Sequence, residues 1–273
     1  MSVPNVVLNN GIEIPQLGFG VWRVPSEETQ KVVELALGAG YRHIDTAKLY
    51  GNERGVGAAV RASGLDRDEV FVTSKVWNDD QGYDDTLRAF DTTMDELGFD
   101  VLDLYLIHWP VPSKGLAAET WRAMEKLYHD GRIRAIGVSN FHAHHLEALM
   151  RTAEVRPTVN QVELHPYHQQ RAVRDANDRL EIATEAWSPL AKGRALLDDP
   201  VVGEVASRHD RTPAQVVLRW HLQHGTIVIP KSVTPSRIEE NIDVFDFELG
   251  PDEILAINGI DRDERIGDHP DEM

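Results

Sequence analysis

VFVTSKVWNDDQGYDDTLRAFDTTMDELGFDVLDLYLIHW, residues 70–109, is the stretch whose reading decides the fold. Its two ends, VFVTSKV (70–76) and VLDLYLIHW (101–109), are β-rich runs, and YDDTLRAFDTTMDELG (83–98) between them has an amphipathic helical pattern closed by Gly98. Strand, helix and strand at this spacing imply parallel pairing through a right-handed crossover.

The same alternation continues on both sides. Upstream lie the helical SEETQKVVELALGAG (26–40), with a start signal at Ser26, and the strand-like YRHIDT (41–46). Downstream come TWRAMEKLYHDG (120–131), stopped by Gly131, and the runs IRAIGVSN (133–140), TVNQVELH (158–165), EIATEAWS (181–188), TIVIPKS (226–232) and a weaker VFDF (244–247). Eight strand signals in 273 residues favour an α/β fold, a single (β/α)8 TIM barrel spanning residues 1–273. An open doubly wound sheet would need a glycine-rich phosphate loop after its first strand. Gly18-Phe19-Gly20 opens no helix and lacks a third glycine, so that alternative is set aside. VVLNNGIEIP stands apart: Asn9-Asn10-Gly11 between two short β-branched runs signals a hairpin closing the bottom of the barrel.

Composition narrows the function. With 28 basic and 45 acidic residues, the net charge of −17 repels phosphate backbones and anionic lipid heads, arguing against nucleic acid and membrane partners. The chain has no cysteine, which excludes disulfides, thiolate metal sites and cysteine nucleophiles. Its first residues lack the basic and apolar regions of a signal peptide, and no apolar run reaches bilayer length. A cytoplasmic, monomeric enzyme is expected.

In such a barrel, function collects where strands end. Asp45 closes the first of the runs counted above, Lys75 the second and His108 the third, while Tyr50 lies five residues beyond Asp45. Each alone has a plainer reading: a helix cap, a solvated cation, a core histidine, a packed ring. Together they make chemical sense. A phenol with a pKa near ~10 is a poor proton donor at neutral pH. A neighbouring ammonium favours the phenolate, and a carboxylate holds that ammonium charged despite burial. A histidine beside the phenol can orient an oxygen that gains negative charge, as a carbonyl does on receiving hydride.

YRHIDTAKLYGNE, SKVWND, DLYLIHWP, GVSNF, NQVELHP, EAWSPL and IPKSVTPSRIEEN resemble, in order and spacing, the motifs of the aldo-keto reductase family. VVLNNGIEIPQLGFGVW, GLDRDEVFVTSKVWND, WHLQHG, ENIDVFDF and the ending HPDEM are most similar to the bacterial 2,5-diketo-D-gluconate reductase group. The resemblance implies NADPH as cofactor and a small-molecule carbonyl as substrate, such as a keto-sugar acid or a small reactive carbonyl. It makes Asp45, Tyr50, Lys75 and His108 the catalytic tetrad, with Tyr50 as proton donor. It assigns Ser139, Asn140 and Gln161 to the nicotinamide carboxamide and Trp187 to its face. Ser188 and Leu190 would line the pyrophosphate path, Lys231, Ser232, Val233 and Arg237 the adenosine 2′-phosphate, and Glu240 and Asn241 the adenine. Trp22, Trp77 and Trp109, with His108, would wall the substrate pocket.

The residues agree on the phosphate, because Lys231, Ser232 and Arg237 form a basic, hydroxyl-bearing loop into a helix on an otherwise acidic chain. The sequence departs from the diketo-gluconate reductases at Thr234, where they carry arginine, and that predicts a less strict preference for NADPH over NADH. FHAHHLE (141–147) places His142 and His145 on one helix face beside His144, but no carboxylate is evidently set to complete a site, so no metal is expected. A barrel hydrolase or isomerase would use the strand-end group but leave the other sets idle. A nucleotide-binding sensor would have no need of the Tyr50–Lys75 pair.

Overall fold

Residues 3–193 and 195–273 are described by the computed structural model. In chain order the elements are β1 (Asn5–Val7), β2 (Glu13–Pro15), β3 (Phe19–Gly20), α1 (Ser26–Ala39), β4 (His43–Asp45), α2 (Glu53–Ala62), β5 (Phe71–Val76), α3 (Tyr83–Leu97), β6 (Leu102–Ile107) and α4 (Ala117–His129). There follow β7 (Ile133–Ser139), α5 (Ala143–Met150), β8 (Val159–Glu163), α6 (Arg171–Arg179), β9 (Ala183–Trp187), α7 (Pro200–His209), α8 (Pro213–Gln223), β10 (Ile227–Val228), α9 (Pro235–Ile242) and α10 (Pro251–Asn258). Strands β3 to β10 pair in sequence order, every pair parallel. The two edges meet through a parallel bridge from Leu17 to Val228, with the Gly18 amide donating to Val228 at 2.8 Å and the Val228 amide to Gln16 at 2.9 Å. The result is a closed (β/α)8 barrel.

The count of eight was right, but one member was not. VFDF at 244–247 is no strand: it passes through bends after α9, with Val244 buried under the helices. The first barrel strand is instead Phe19–Gly20, inside the glycine-rich segment set aside above. Two residues are too few for an alternating pattern. The glycines serve close approach, since a Cβ on Gly18 would lie 2.4 Å from the His43 ring. Every later strand therefore moves up one place, and Asp45, Lys75 and His108 sit at the ends of the second, third and fourth barrel strands.

Strand periodicity sorts the interior into levels. On β5, Phe71 joins an apolar layer at the barrel bottom, Thr73 meets His43, and Lys75 meets Asp45. The apolar layer is Phe71, Leu104, Leu106, Ala135, Val159 and Ile227, with Leu8 and Ile14 entering from the N-terminal hairpin. β1 and β2 pair antiparallel around a turn with Gly11 at φ 83°, as Asn9-Asn10-Gly11 signalled. Asn9 Nδ2 donates to the carbonyls of Pro157 (2.9 Å) and Glu181 (3.0 Å), and Asn10 Nδ2 to Arg134 (3.0 Å). The hairpin is thus pinned as a plug. Among the described residues no helix is long and apolar enough to cross a membrane.

Candidate active site

At the opposite end the strands deliver polar side chains. Lys75 is fully buried, and its Nζ donates to both oxygens of Asp45 at 2.8 Å, to the Thr46 carbonyl at 2.9 Å and to the Tyr50 hydroxyl at 3.5 Å. Tyr50 enters from a short 3-10 turn after β4, its ring centroid 5.8 Å from that of His108 in edge geometry. The four residues named from the strand ends therefore meet in one cluster. Trp22, exposed at the rim, lies 4.7 Å from the Tyr50 ring, and Trp77 packs 5.2 Å from His108. Trp109 is buried, its carbonyl accepting from Gln81, and among the described residues no aromatic contact brings its ring onto Tyr50 or His108.

Electrostatics at the centre are dominated by burial. Burial works against the Lys75 ammonium, but Asp45, Tyr50 and the hydrogen bond to Asp45 outweigh it, so its pKa is raised and the cation persists. Tyr50 departs from the sequence expectation. Burial pushes its phenol up to about 12, and Asp45 adds to the rise, while Lys75 pulls down without prevailing. The phenol is therefore a fully loaded donor at neutral pH. Burial and the Lys75 charge hold His108 well below the ordinary histidine range, so its ring is neutral, with Nδ1 unpartnered.

One participant was not singled out from the sequence. Glu185, fully buried on β9, accepts at 2.9 Å from Gln161 Nε2, which also donates to Asp45 Oδ2 at 2.8 Å. Burial and the Asp45 charge push Glu185 up to about 8, so it is protonated at neutral pH. His43, beside it at 3.6 Å, is driven down to about 3 by burial and is neutral. The buried centre thus holds one anion, Asp45, against one cation, Lys75. Lys48, two residues before Tyr50, spends its charge on Asp80 at 2.7 Å.

The second set forms a ledge beside this centre. Ser139 Oγ donates to the Gln161 carbonyl at 2.8 Å; Asn140 Nδ2 donates to Ser139 Oγ at 3.1 Å and to the His108 carbonyl at 3.0 Å. Trp187 is half-buried, and its Nε1 donates to Asn140 Oδ1 at 2.8 Å. Ser188 follows at φ 49°, and Leu190 is half-buried in the turn beyond.

Farther out, Lys231, Val233 and Arg237 are exposed around the start of α9, and Ser232 is buried with its Oγ accepting the Thr234 amide at 3.1 Å. Among the described residues neither Lys231 nor Arg237 has a carboxylate within ion-pair distance, on a chain of net charge −17. Two unmatched cations at a helix start suit a phosphate monoester. Asn241 is buried, and Glu240 already accepts from Thr212 Oγ at 2.7 Å.

Residues 16–262 match the aldo/keto reductase family profile. The chain belongs to the aldo/keto reductase family. An aldo-keto reductase of Mycobacterium sp. (strain JLS) is 54% identical over 270 residues, 99% of this chain and 98% of that one. The glyoxal reductase of Bacillus subtilis (strain 168) is 52% identical over 269 residues, 98% of this chain and 96% of that one. Among solved structures, a Gox0644 mutant in complex with NADPH superposes with a TM-score of 0.95 at 50% identity, covering 99% of this chain and 98% of that one.

Proposed function

We propose that this chain reduces aldehyde and ketone groups to alcohols with NADPH, Tyr50 giving the proton. The observation that carries the reading is the buried Asp45–Lys75 pair with the Tyr50 hydroxyl 3.5 Å from the ammonium. NADPH, when bound, supplies the hydride. Ser139, Asn140, Gln161 and Trp187 form a ledge that would hold the nicotinamide, Ser188 and Leu190 would border the pyrophosphate, and Lys231, Ser232, Val233 and Arg237 would hold the adenosine phosphate. Glu240 and Asn241 would contact the adenine.

Tyr50 and His108 meet the substrate oxygen. The neutral imidazole orients it, and the phenol hydrogen-bonds to it. As the carbonyl carbon accepts hydride, charge builds on oxygen, and the Tyr50 proton moves to it. Lys75 stabilises the phenolate left behind, and Asp45 holds Lys75 in place. Trp22 and Trp77 supply the apolar walls that keep water from the developing alkoxide.

Small reactive carbonyls of the glyoxal type are the substrate class we favour, on the 52% identity to the Bacillus subtilis glyoxal reductase. Keto-sugar acids, suggested by the diketo-gluconate likeness of motifs such as the HPDEM ending, are the second reading. Comparing kcat/KM for glyoxal, methylglyoxal and 2,5-diketo-gluconate ranks the two. The mechanism is tested by Tyr50→Phe, which keeps the ring and removes the proton. Carbonyl reduction is expected to fall by ~10²-fold or more while NADPH binding persists. Near-normal turnover would overturn the assignment.

A further inference from the structure

Outside the barrel mouth, the start of α5 and the C-terminal tail meet in a cluster of imidazoles around one carboxylate. His142 caps α5, and His144 and His145 lie in its first turn. The carboxylate that the sequence did not offer comes from the far end of the chain, as Asp271. Asp271 Oδ1 lies 3.0 Å from Nε2 of both His144 and His145, and Oδ2 lies 3.6 Å from His142 Nδ1. His269 Nδ1 stands 3.8 Å from the same Oδ2. One donor atom from each of His142, His144, His145 and Asp271 falls within 4.8 Å of all the others. A tetrahedral ion with bonds of about 2.0–2.1 Å separates its donors by roughly 3.3 Å, so only small side-chain shifts bring this set onto one ion.

We propose that His142, His144 and Asp271 form a site for a divalent transition metal of the zinc class, and that the ion fastens the C-terminal tail to the start of α5. Two imidazoles and a carboxylate suit zinc, nickel or copper rather than the all-oxygen preference of magnesium or calcium. His145 has a different part. Its Nδ1 accepts the backbone N–H of His142 at 3.1 Å, which leaves the ring proton on Nε2, facing Asp271. It therefore stands 3.0 Å from the carboxylate as an N–H without a hydrogen-bond partner, instead of ligating the ion. Arg265 Nη2 approaches His142 Nε2 at 3.5 Å and withdraws when Nδ1 of that ring takes the metal.

Fastening the tail has a consequence at the mouth. The same tail runs past Glu163, which accepts the amides of Ile266 at 2.6 Å and Gly267 at 2.8 Å. Gly267 lies so close to Trp187 that a Cβ there would come within 2.5 Å of the indole. An ion at Asp271 thus immobilises a segment packed against one wall of the proposed nicotinamide ledge.

The test uses untagged, chelator-treated full-length protein, titrated calorimetrically with zinc chloride and separately with nickel, copper and magnesium chlorides. Expected are one zinc per chain, copper bound more tightly than nickel, and no magnesium binding. Asp271→Asn and His144→Ala should each weaken zinc at least tenfold, because each removes a ligand. His129→Ala, on the outer end of α4, should change nothing. Hydrogen exchange at the amides of 261–273 should slow when zinc is added. Absence of zinc binding below millimolar concentration would overturn the proposal. So would binding that Asp271→Asn leaves intact, because surface imidazoles alone would then hold the ion without the tail.

Discussion

The two ends of this barrel are built from the same strands yet are held together in opposite ways. On β5, Phe71 and Lys75 are both buried, four residues and roughly 13 Å apart along the strand. Phe71 belongs to an apolar layer sealed by Leu8 and Ile14 of the hairpin. Lys75 is bound instead by Asp45, Thr46 and Tyr50, with the Gln161–Glu185 relay behind Asp45. The bottom needs volume and tolerates exchange among apolar groups that keep it. The top needs particular partners, because a buried charge without its counterpart is costly. One end can carry chemistry for the same reason that it cannot be repacked.

Lys75→Met tests this contrast most severely. It leaves Asp45 buried without its cation, and a loss of about 3–5 kcal/mol in denaturant unfolding is expected. Carbonyl reduction should fall by ~10²-fold or more, and the double variant with Tyr50→Phe should be little worse than either alone, since the two residues act as a unit. Additive losses would separate them.

Ile14→Ala strikes the other end. Loss of a fully buried side chain should cost about 2–5 kcal/mol of stability, with kcat/KM per folded molecule unchanged. A fall in activity without unfolding would show that the plug supports the mouth directly.

Arg237→Ala probes the cation pair beyond the ledge. Loss of one charged hydrogen bond is expected to weaken NADPH by about one to two decades and to leave NADH nearly unchanged, measured by quenching of tryptophan fluorescence. Equal weakening of both cofactors would make Arg237 a support for the loop.

A pH dependence probes the relay behind Asp45. Glu185 is raised to about 8 in the folded protein, whereas an unfolded glutamate titrates near ~4.3. Between these values the native state binds the extra proton, so stability falls as pH rises through the window and levels off above pH 8. Compared with Glu185→Gln, the unmodified protein should lose stability at up to about 1.4 kcal/mol per pH unit in that window. Parallel stability curves for the two proteins would place Glu185 outside the buried centre.

Much of the fold was legible because strands and helices announce themselves by period. VFVTSKV and VLDLYLIHW became β5 and β6 within a residue or two of their reading, and Asn9-Asn10-Gly11 turned the hairpin. The strand-end rule brought Asp45, Lys75 and His108 to attention one strand too early in the count. β3 stayed hidden because two paired residues carry no pattern, and VFDF took its place because β-branched and aromatic content alone does not make a ladder.

What the sequence determined by itself was therefore local: which segments have strand or helix period, which side chains stand at their ends, and that Lys231 and Arg237 lie on an acidic chain. Tertiary structure decided everything that depends on distance across the barrel. Asp45 on β4 and Glu185 on β9 share Gln161 only because closure turns inward-facing residues of distant strands toward one axis. The high pKa of Tyr50 follows from burial outweighing Lys75, a balance that no spacing records. Asp271 reaches His144 across 127 residues of chain because the tail runs back past Glu163 and Trp187 to the start of α5. Periodicity is written in neighbours, whereas burial, charge coupling and ligand sets are properties of enclosed space.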